Sequence, residues 1–217
     1  SMRFDDENNL ETILYEAKKY YANILMPFGK QAQTALKALG GLDIDLIATG
    51  HGVSWRSHID KILDCYKNWS SGDVEDRAII VFDSMWHSTE IIAHTIAEAF
   101  AKKKIPAAYY DVKCTPLSDI TTDIFKSKYL AVGSPTIHNQ LMPTIAQFLC
   151  YIKGLRPQNH KAFAFGSYGW SGQSIAMVED ELKAAGFEII LDKIKILNVP
   201  TKDQLDEIEN KILALEV

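Results

Sequence analysis

A hydroxyl-rich turn, Ser84–Thr89, follows an apolar run of strand character, Ile79–Phe82, and precedes a stretch with helical periodicity. Such a turn can hold a phosphate dianion without lysine or arginine, because the first amides of a helix lack intrahelical acceptors and the helix dipole is positive there. The turn lacks both the Walker lysine motif and the GxGxxG of dinucleotide folds. Ser84, Ser88 and Thr89 are therefore candidate phosphate donors, although Ser88 could equally cap the helix.

Two further loops bring polar and aromatic groups to the ends of apolar runs. Residues 133–143 are polar for a connection that leaves a buried strand, and prolines near both ends restrict the course of the chain. Gly166–Gly172 contains three glycines, where backbone can approach a ligand closely, and presents Tyr168 and Trp170 beside them. With Trp86, the three loops combine a phosphate nest, hydrogen-bonding groups for a planar heterocycle and rings that stack on it. This combination predicts a site for flavin mononucleotide (FMN).

Alternating strand and helix patterns beyond residue 77 would position these loops. Strands are predicted at Ala78–Phe82, Ala107–Val112, Tyr129–Gly133, Ala162–Gly166 and Glu188–Leu197, and helices at about Thr89–Lys103, Pro143–Lys153, Gln173–Ala185 and Lys202–Leu215. The first, third and fourth strands are apolar on both faces, as buried parallel strands are. The pattern predicts an α/β fold with a doubly wound parallel sheet of five strands, whose ligand lies at the carboxyl ends of the strands.

The first third of the chain has a different pattern. Helices are predicted at Glu7–Tyr21, Gln31–Leu39 and Ile59–Trp69, and one short buried strand at Asp45–Ala48. The polar segment 70–76 then forms a natural boundary. We expect two parts, residues 1–72 and residues 73–217.

The amino-acid composition argues against some classes of binding partner. The formal net charge of −5 and the absence of large basic clusters argue against a nucleic-acid or anionic-membrane surface. Cys65, Cys114 and Cys150 are scattered without metal-binding spacing, which fits a reducing cytoplasm. The sequence shows neither a signal peptide nor an apolar run as long as a membrane span.

The loop sequences Ser-Met-Trp-His-Ser-Thr, Gly-Ser-Pro-Thr-Ile-His-Asn and Gly-Ser-Tyr-Gly-Trp-Ser-Gly resemble those of the flavodoxin domain of the flavodiiron proteins, also called A-type flavoproteins. The segment Ala17–Lys30, with Gly50-His51-Gly52 and Trp55-Arg56, resembles the last part of their metallo-β-lactamase-like diiron domain. The resemblance covers essentially the whole chain. It implies a flavodoxin-like sheet of order 2-1-3-4-5 and a mostly helical N-terminal remnant of the diiron domain.

The three loops supply the candidate FMN-binding residues, in which hydroxyls, amides and aromatic rings recur. They are Ser84, Met85, Trp86, His87, Ser88, Thr89, Ser134, Pro135, Thr136, Ile137, His138, Asn139, Ser167, Tyr168, Gly169, Trp170, Ser171 and Gly172. His87 stands where ordinary flavodoxins have glycine, so a left-handed backbone at this position would cost free energy.

The resemblance also implies an activity for the parent protein. Flavodiiron proteins reduce dioxygen to water or nitric oxide to nitrous oxide at a diiron centre, with electrons relayed through the flavin. The implied donor is a redox protein such as rubredoxin or a flavin reductase, and the parent would form a homodimer or tetramer. Of the family's iron ligands only the last has a counterpart, His51. The chain, which opens with the tag-like Ser1-Met2, is therefore expected to be a truncation that transfers electrons, with no catalytic residue and no diiron centre of its own.

Two other functions remain open from the residues. A stand-alone flavin or quinone reductase would use NAD(P)H directly and need no protein partner. A phosphate-binding or signalling module would bind no flavin at all. A phospho-receiver domain of the same topology is disfavoured, because Asp83 lacks the acidic neighbours in sequence that would bind magnesium.

Overall fold

A computed structural model of the protein describes residues 2–216. The chain divides into two compact units between Asp73 and Val74.

The N-terminal unit is mostly helical. Its helices are α1 (Leu10–Tyr20), α2 (Gly29–Leu39) and α3 (Ile59–Ser70). One turn of π-helix and one of 3-10 helix join α1 to α2, and the second contains Pro27. The rings of Tyr21, Tyr66 and Trp69 pack together at centroid distances of 5.3 to 5.6 Å.

The predicted strand at Asp45–Ala48 is wrong. Ile47 alone forms an isolated antiparallel bridge with Trp55, through backbone hydrogen bonds of 2.8 and 2.9 Å. Leu46 is half exposed. The apolar run is too short, and pairs at too few positions, to make a strand of a sheet.

The C-terminal unit is a parallel sheet with helices on both faces. Its strands are β1 (Glu75–Phe82), β2 (Ala107–Asp111), β3 (Ser127–Gly133), β4 (Lys161–Tyr168), β5 (Glu188–Ile189) and β6 (Ile194–Leu197). Its helices are α4 (Ser88–Lys102), α5 (Leu117–Ile124), α6 (Pro143–Leu155), α7 (Gln173–Ala184) and α8 (Lys202–Leu213). The sheet order is β2-β1-β3-β4-β5, and β6 also pairs with β4. The predicted flavodoxin-like fold is confirmed.

Two details of this unit differ from the prediction. The single strand predicted at Glu188–Leu197 is split, because residues 190–193 leave the ladder where Asp192 and Lys193 turn outward into solvent. Helix α5 was not predicted at all. It is only eight residues long, so the recurrence of Leu117, Ile120 and Ile124 on one face spans about two turns, which is too short to identify a helix from periodicity.

The core explains why β1, β3 and β4 read as continuous apolar runs. From Ala78 to Phe82 every residue of β1 is buried, and the same holds for Tyr129 to Gly133 of β3. Helices cover both faces of these strands, as parallel sheets require. Their carboxyl ends open at one edge, where the three loops of interest begin.

Candidate functional site

A cleft of about 240 Å³ lies at this edge of the sheet. It is lined by residues from four loops: Ser84, Met85, Trp86, Ser88, Pro135, Thr136, Ser167, Tyr168, Gly169, Asn198 and Val199. Three of the four loops are those that the sequence predicts. The fourth joins β6 to α8.

The β1–α4 loop (Ser84–Thr89) presents unused hydrogen-bond donors. Within residues 2–216, none of the amides from Met85 to Thr89 donates to a protein acceptor, and no side chain caps α4. The Ser84 hydroxyl is buried and also has no partner among the described residues. Buried polar groups are normally satisfied. A loop with several free donors at a helix N-terminus therefore suits an anionic ligand.

The β1–α4 loop turns at His87. Its backbone is left-handed, with φ of 64°. The exposed imidazole donates from Nδ1 to the Glu90 carboxylate, in the first turn of α4, at 2.6 Å. The conformation is the one that glycine adopts without cost, so histidine is strained at this position.

Replacement of His87 tests this strain. His87→Gly is expected to be more stable than His87→Ala by about 1 kcal/mol, because both remove the contact with Glu90 and only alanine keeps a Cβ in the left-handed region. Urea unfolding of the two variants measures the difference. An alanine variant as stable as the glycine variant would contradict the strained geometry.

Not every predicted hydroxyl faces the cleft. Thr89 is buried, and its hydroxyl lies 3.0 Å from that of Ser167 on β4. Ser134 is fully buried; its hydroxyl accepts from the Met142 amide at 2.9 Å and donates to the Pro135 carbonyl at 2.8 Å. These two side chains fix the loops to one another and to the sheet.

The β3–α6 loop turns back on itself in a two-residue hairpin. Ile137 and Gln140 exchange backbone hydrogen bonds of 2.8 and 2.9 Å. His138 and Asn139 between them have φ of 50° and 59°, and positive φ at both central positions is the requirement of a type I′ turn. Asn139 accepts a hydrogen bond from Ser171 at 3.1 Å, so this loop touches the β4–α7 loop.

Two tryptophan side chains beside the cleft are largely exposed to solvent. Trp86 is 84% exposed and Trp170 is 97% exposed. Large apolar groups so exposed often mark binding surfaces. A planar ligand between these loops would find aromatic faces on which to stack.

The predicted residues thus separate into two groups. Nine of them line the cleft, whereas the others lie around it or beneath it: His87, Thr89, Ser134, Ile137, His138, Asn139, Trp170, Ser171 and Gly172.

Sequence reasoning missed the loop after β6. The Asn198 backbone N–H donates to the Tyr168 carbonyl at 2.7 Å, and both Asn198 and Val199 line the cleft. A turn signal was available, because Asn198 precedes Pro200 by two residues at the end of a strand. That strand ends at the same edge as its parallel neighbours.

His51, the counterpart of an iron ligand, lies in the N-terminal unit. Its side chain is exposed, and its ring is 5.4 Å from that of Tyr20. Within residues 2–216 no group of three or more histidine, cysteine, aspartate or glutamate side chains is placed to hold a metal ion. The described helices also include none that is long and apolar enough to cross a membrane.

Comparison with known proteins agrees with the fold and the site. The flavodoxin family model matches residues 80–212. A nitric oxide reductase of Moorella thermoacetica is 37% identical over 194 residues, which are 88% of this chain and 49% of that protein. The chain spans about half the length of the curated relatives it matches.

Solved structures show the same relationship. The rubredoxin oxygen:oxidoreductase of Desulfovibrio gigas superposes with a TM-score of 0.94 at 33% identity, over 99% of this chain and 55% of that one. The flavodiiron protein of Giardia intestinalis gives a TM-score of 0.93 at 27% identity, over 99% and 54%. These relatives confirm the resemblance to flavodiiron proteins.

The family indicates FMN as the cofactor, and the residues present fit it. Loop amides and a Ser84 hydroxyl that find no partner in the described part of the chain suit its phosphate, and exposed tryptophans suit its ring system. The chain belongs to the flavodoxin family, and along nearly its whole length it is similar to the flavodiiron proteins.

Proposed function

We propose that the protein binds FMN non-covalently in the cleft and acts in electron transfer. The observation that carries the proposal is that the amides from Met85 to Thr89 and the buried Ser84 hydroxyl have no hydrogen-bond partner within residues 2–216. When bound, FMN supplies one- and two-electron redox chemistry that no side chain can provide. The protein's part is to hold the phosphate, orient the ring and exclude water from one side of it.

The residues divide these tasks by position. The β1–α4 loop would hold the phosphate through its amides and Ser84. Pro135 and Thr136 would border the ring, and Trp86 and Trp170 would flank it. The Thr136 hydroxyl lies 2.7 Å from the hydroxyl of Ser174 at the start of α7, and this hydrogen bond fixes the position of Thr136.

We further propose the place of this domain in a longer parent protein. A redox protein such as rubredoxin, or a flavin reductase, would deliver electrons to the flavin. They would pass to a diiron centre that reduces dioxygen to water or nitric oxide to nitrous oxide. In this proposal residues 1–72 correspond to the end of the metallo-β-lactamase-like domain, and His51 would serve as an iron ligand only in the intact parent, which would be a homodimer or tetramer.

The test is a titration of the apo-protein with FMN and with riboflavin, followed by desalting and a visible spectrum. Retained flavin bands with FMN, and weaker binding of riboflavin, are expected because the loop donors address the phosphate. Binding of neither flavin would overturn the proposal. Rapid turnover of NAD(P)H with a small acceptor and no protein partner would favour a stand-alone reductase instead.

Ser84→Ala is expected to weaken FMN binding without lowering the stability of the fold. Its hydroxyl has no described partner, so the apo-protein should keep its stability, whereas FMN affinity should fall about tenfold through the loss of a hydrogen bond to a charged group. Titration and urea unfolding give the two values.

Ser134→Ala is the matched variant. It removes the acceptor of the partly buried Met142 amide and should cost about 1 kcal/mol of stability. Equal FMN affinity in Ser84→Ala and wild type would contradict the role of Ser84.

A further inference from the structure

Lys113, which follows β2, reaches the first residue of the β1–α4 loop from the neighbouring strand. Its ammonium group donates to the Ser84 carbonyl oxygen at 2.6 Å. It also lies 3.1 Å from Asp83 Oδ1 and 3.5 Å from Asp111 Oδ2. The loop contains no lysine or arginine of its own, so this cation comes from outside it.

The charge of Lys113 is already balanced by its neighbours. Burial lowers the pKa of Lys113, but the ion pairs with the Asp83 and Asp111 carboxylates outweigh burial and raise it. The lysine therefore remains protonated between two carboxylates. Such a cluster carries no excess positive charge with which to attract a phosphate.

Asp83 is a firm anchor for the lysine. Its side chain is 1% exposed, and its carboxylate accepts a hydrogen bond from the Thr144 hydroxyl at the start of α6. Its amide donates to the Gly133 carbonyl of β3 at 3.2 Å. The carboxylate is thus fixed by elements other than the loop.

The contact with the Ser84 carbonyl sets the direction of the next amide. In a trans peptide the carbonyl oxygen and the following N–H point in opposite directions, and no described peptide is cis. Because the Ser84 oxygen points to Lys113, the Met85 N–H points away from it. Met85 lines the cleft, and its amide is among those without a described acceptor.

We infer that Lys113, anchored by Asp83, is a positioning residue that fixes the Ser84–Met85 peptide and so directs the loop amides toward the phosphate of the flavin. The inference rests on the proposed FMN function. Lys113 holds the carbonyl side of the peptide, and the phosphate is bound on the amide side. Its effect should therefore be specific to flavins that carry a phosphate.

The experiment compares dissociation constants of FMN and riboflavin, measured by quenching of flavin fluorescence, with thermal midpoints on the same samples. Lys113→Met should weaken FMN about tenfold, and leave riboflavin affinity and the thermal midpoint nearly unchanged. Lys128→Met is the matched control. Lys128 pairs with Asp76 at 2.8 Å near the opposite ends of the strands, and its loss should leave both flavins unaffected.

Asp83→Asn distinguishes positioning from direct attraction. If Lys113 positions the peptide, loss of its anchor should weaken FMN. If instead its charge attracts the phosphate, removal of the neighbouring carboxylate should strengthen FMN, and this result would overturn the inference. If Asp83→Asn does not fold, Asp111→Asn serves as the second test. FMN affinity should not increase in this variant if Lys113 positions the peptide, and it should increase if the charge of Lys113 attracts the phosphate.

Two further outcomes would also overturn it. Unchanged FMN affinity in Lys113→Met would show that the contact does not matter for binding. An equal loss of FMN and riboflavin with a lower thermal midpoint would make Lys113 merely structural. Failure of the wild-type protein to bind FMN is a separate result, since it removes the proposed function and the inference with it.

Discussion

Acidification from pH 6.5 to pH 4 is expected to lower the free energy of unfolding by about 3 kcal/mol through a single buried imidazole, that of His160. His160 precedes β4, and its side chain is 4% exposed. Burial lowers its pKa from 6.5 to about 4; Nδ1 donates to the Ser127 carbonyl at 2.6 Å and Lys126 lies nearby. The ring also packs 5.9 Å from that of Phe187.

The direction of this change in stability with pH depends on whether the folded or the unfolded state binds the proton. Between pH 6.5 and 4 the unfolded chain binds a proton at His160 and the folded protein does not. The stabilisation is therefore complete above pH 6.5 and is lost as the pH falls toward 4. Carboxylates whose pKa values are lowered, such as that of Asp5 at about 2, lose their contributions mainly below this range.

Urea unfolding at several pH values measures this dependence. His160→Gln keeps an amide donor for the Ser127 carbonyl and cannot titrate, so its stability should change less with pH between 6.5 and 4. His94→Gln, which alters a partly exposed histidine on α4, should retain the wild-type slope. A slope that persists undiminished in His160→Gln would contradict the assignment.

Gly166→Ala is expected to be the most damaging small substitution at the site. A Cβ at this position would lie 2.1 Å from the Ser134 carbonyl oxygen and 3.0 Å from Ile175 Cγ1. The obstacle is backbone at the start of the β3–α6 loop, which cannot rotate away as a side chain could. We expect a loss of about 3 kcal/mol in stability and weaker FMN binding, because the loop must shift.

Gly154→Ala is the matched control. Gly154 lies in α6, and a Cβ there would meet no atom within 4 Å. Alanine should stabilise this helix by up to about 1 kcal/mol. If Gly166→Ala unfolds at the same urea concentration as wild type, the close approach of β4 to the Ser134 carbonyl is not present in solution.

The fold was largely predictable because its signals are local. Each of β1, β3 and β4 contains an unbroken apolar run, and each is followed by a polar loop and a helical pattern. Parallel strands end at a common edge, so the meeting of the three loops followed from topology without any knowledge of side-chain contacts.

The missed features depend on neighbours that are distant in the chain. Lys113 was not predicted as part of the site, because its partner Ser84 is reached across the sheet from another strand. Asn198 was missed because β6 pairs with the last four residues of β4, Phe165–Tyr168, and this contact between distant segments is what brings Asn198 to the cleft. The predicted strand at Asp45–Ala48 failed for the opposite reason, since a suitable local pattern found almost no partner to pair with.

Because the four tryptophans differ in solvent exposure, their fluorescence can report on two parts of the protein. Trp86 and Trp170 stand in solvent beside the cleft, whereas Trp55 and Trp69 are buried in the N-terminal unit. Iodide should therefore quench a red-shifted part of the emission and leave a blue-shifted part. Bound flavin would shield the first pair, and unfolding of the N-terminal unit would expose the second. One emission spectrum can thus follow cofactor occupancy and the integrity of the other unit separately.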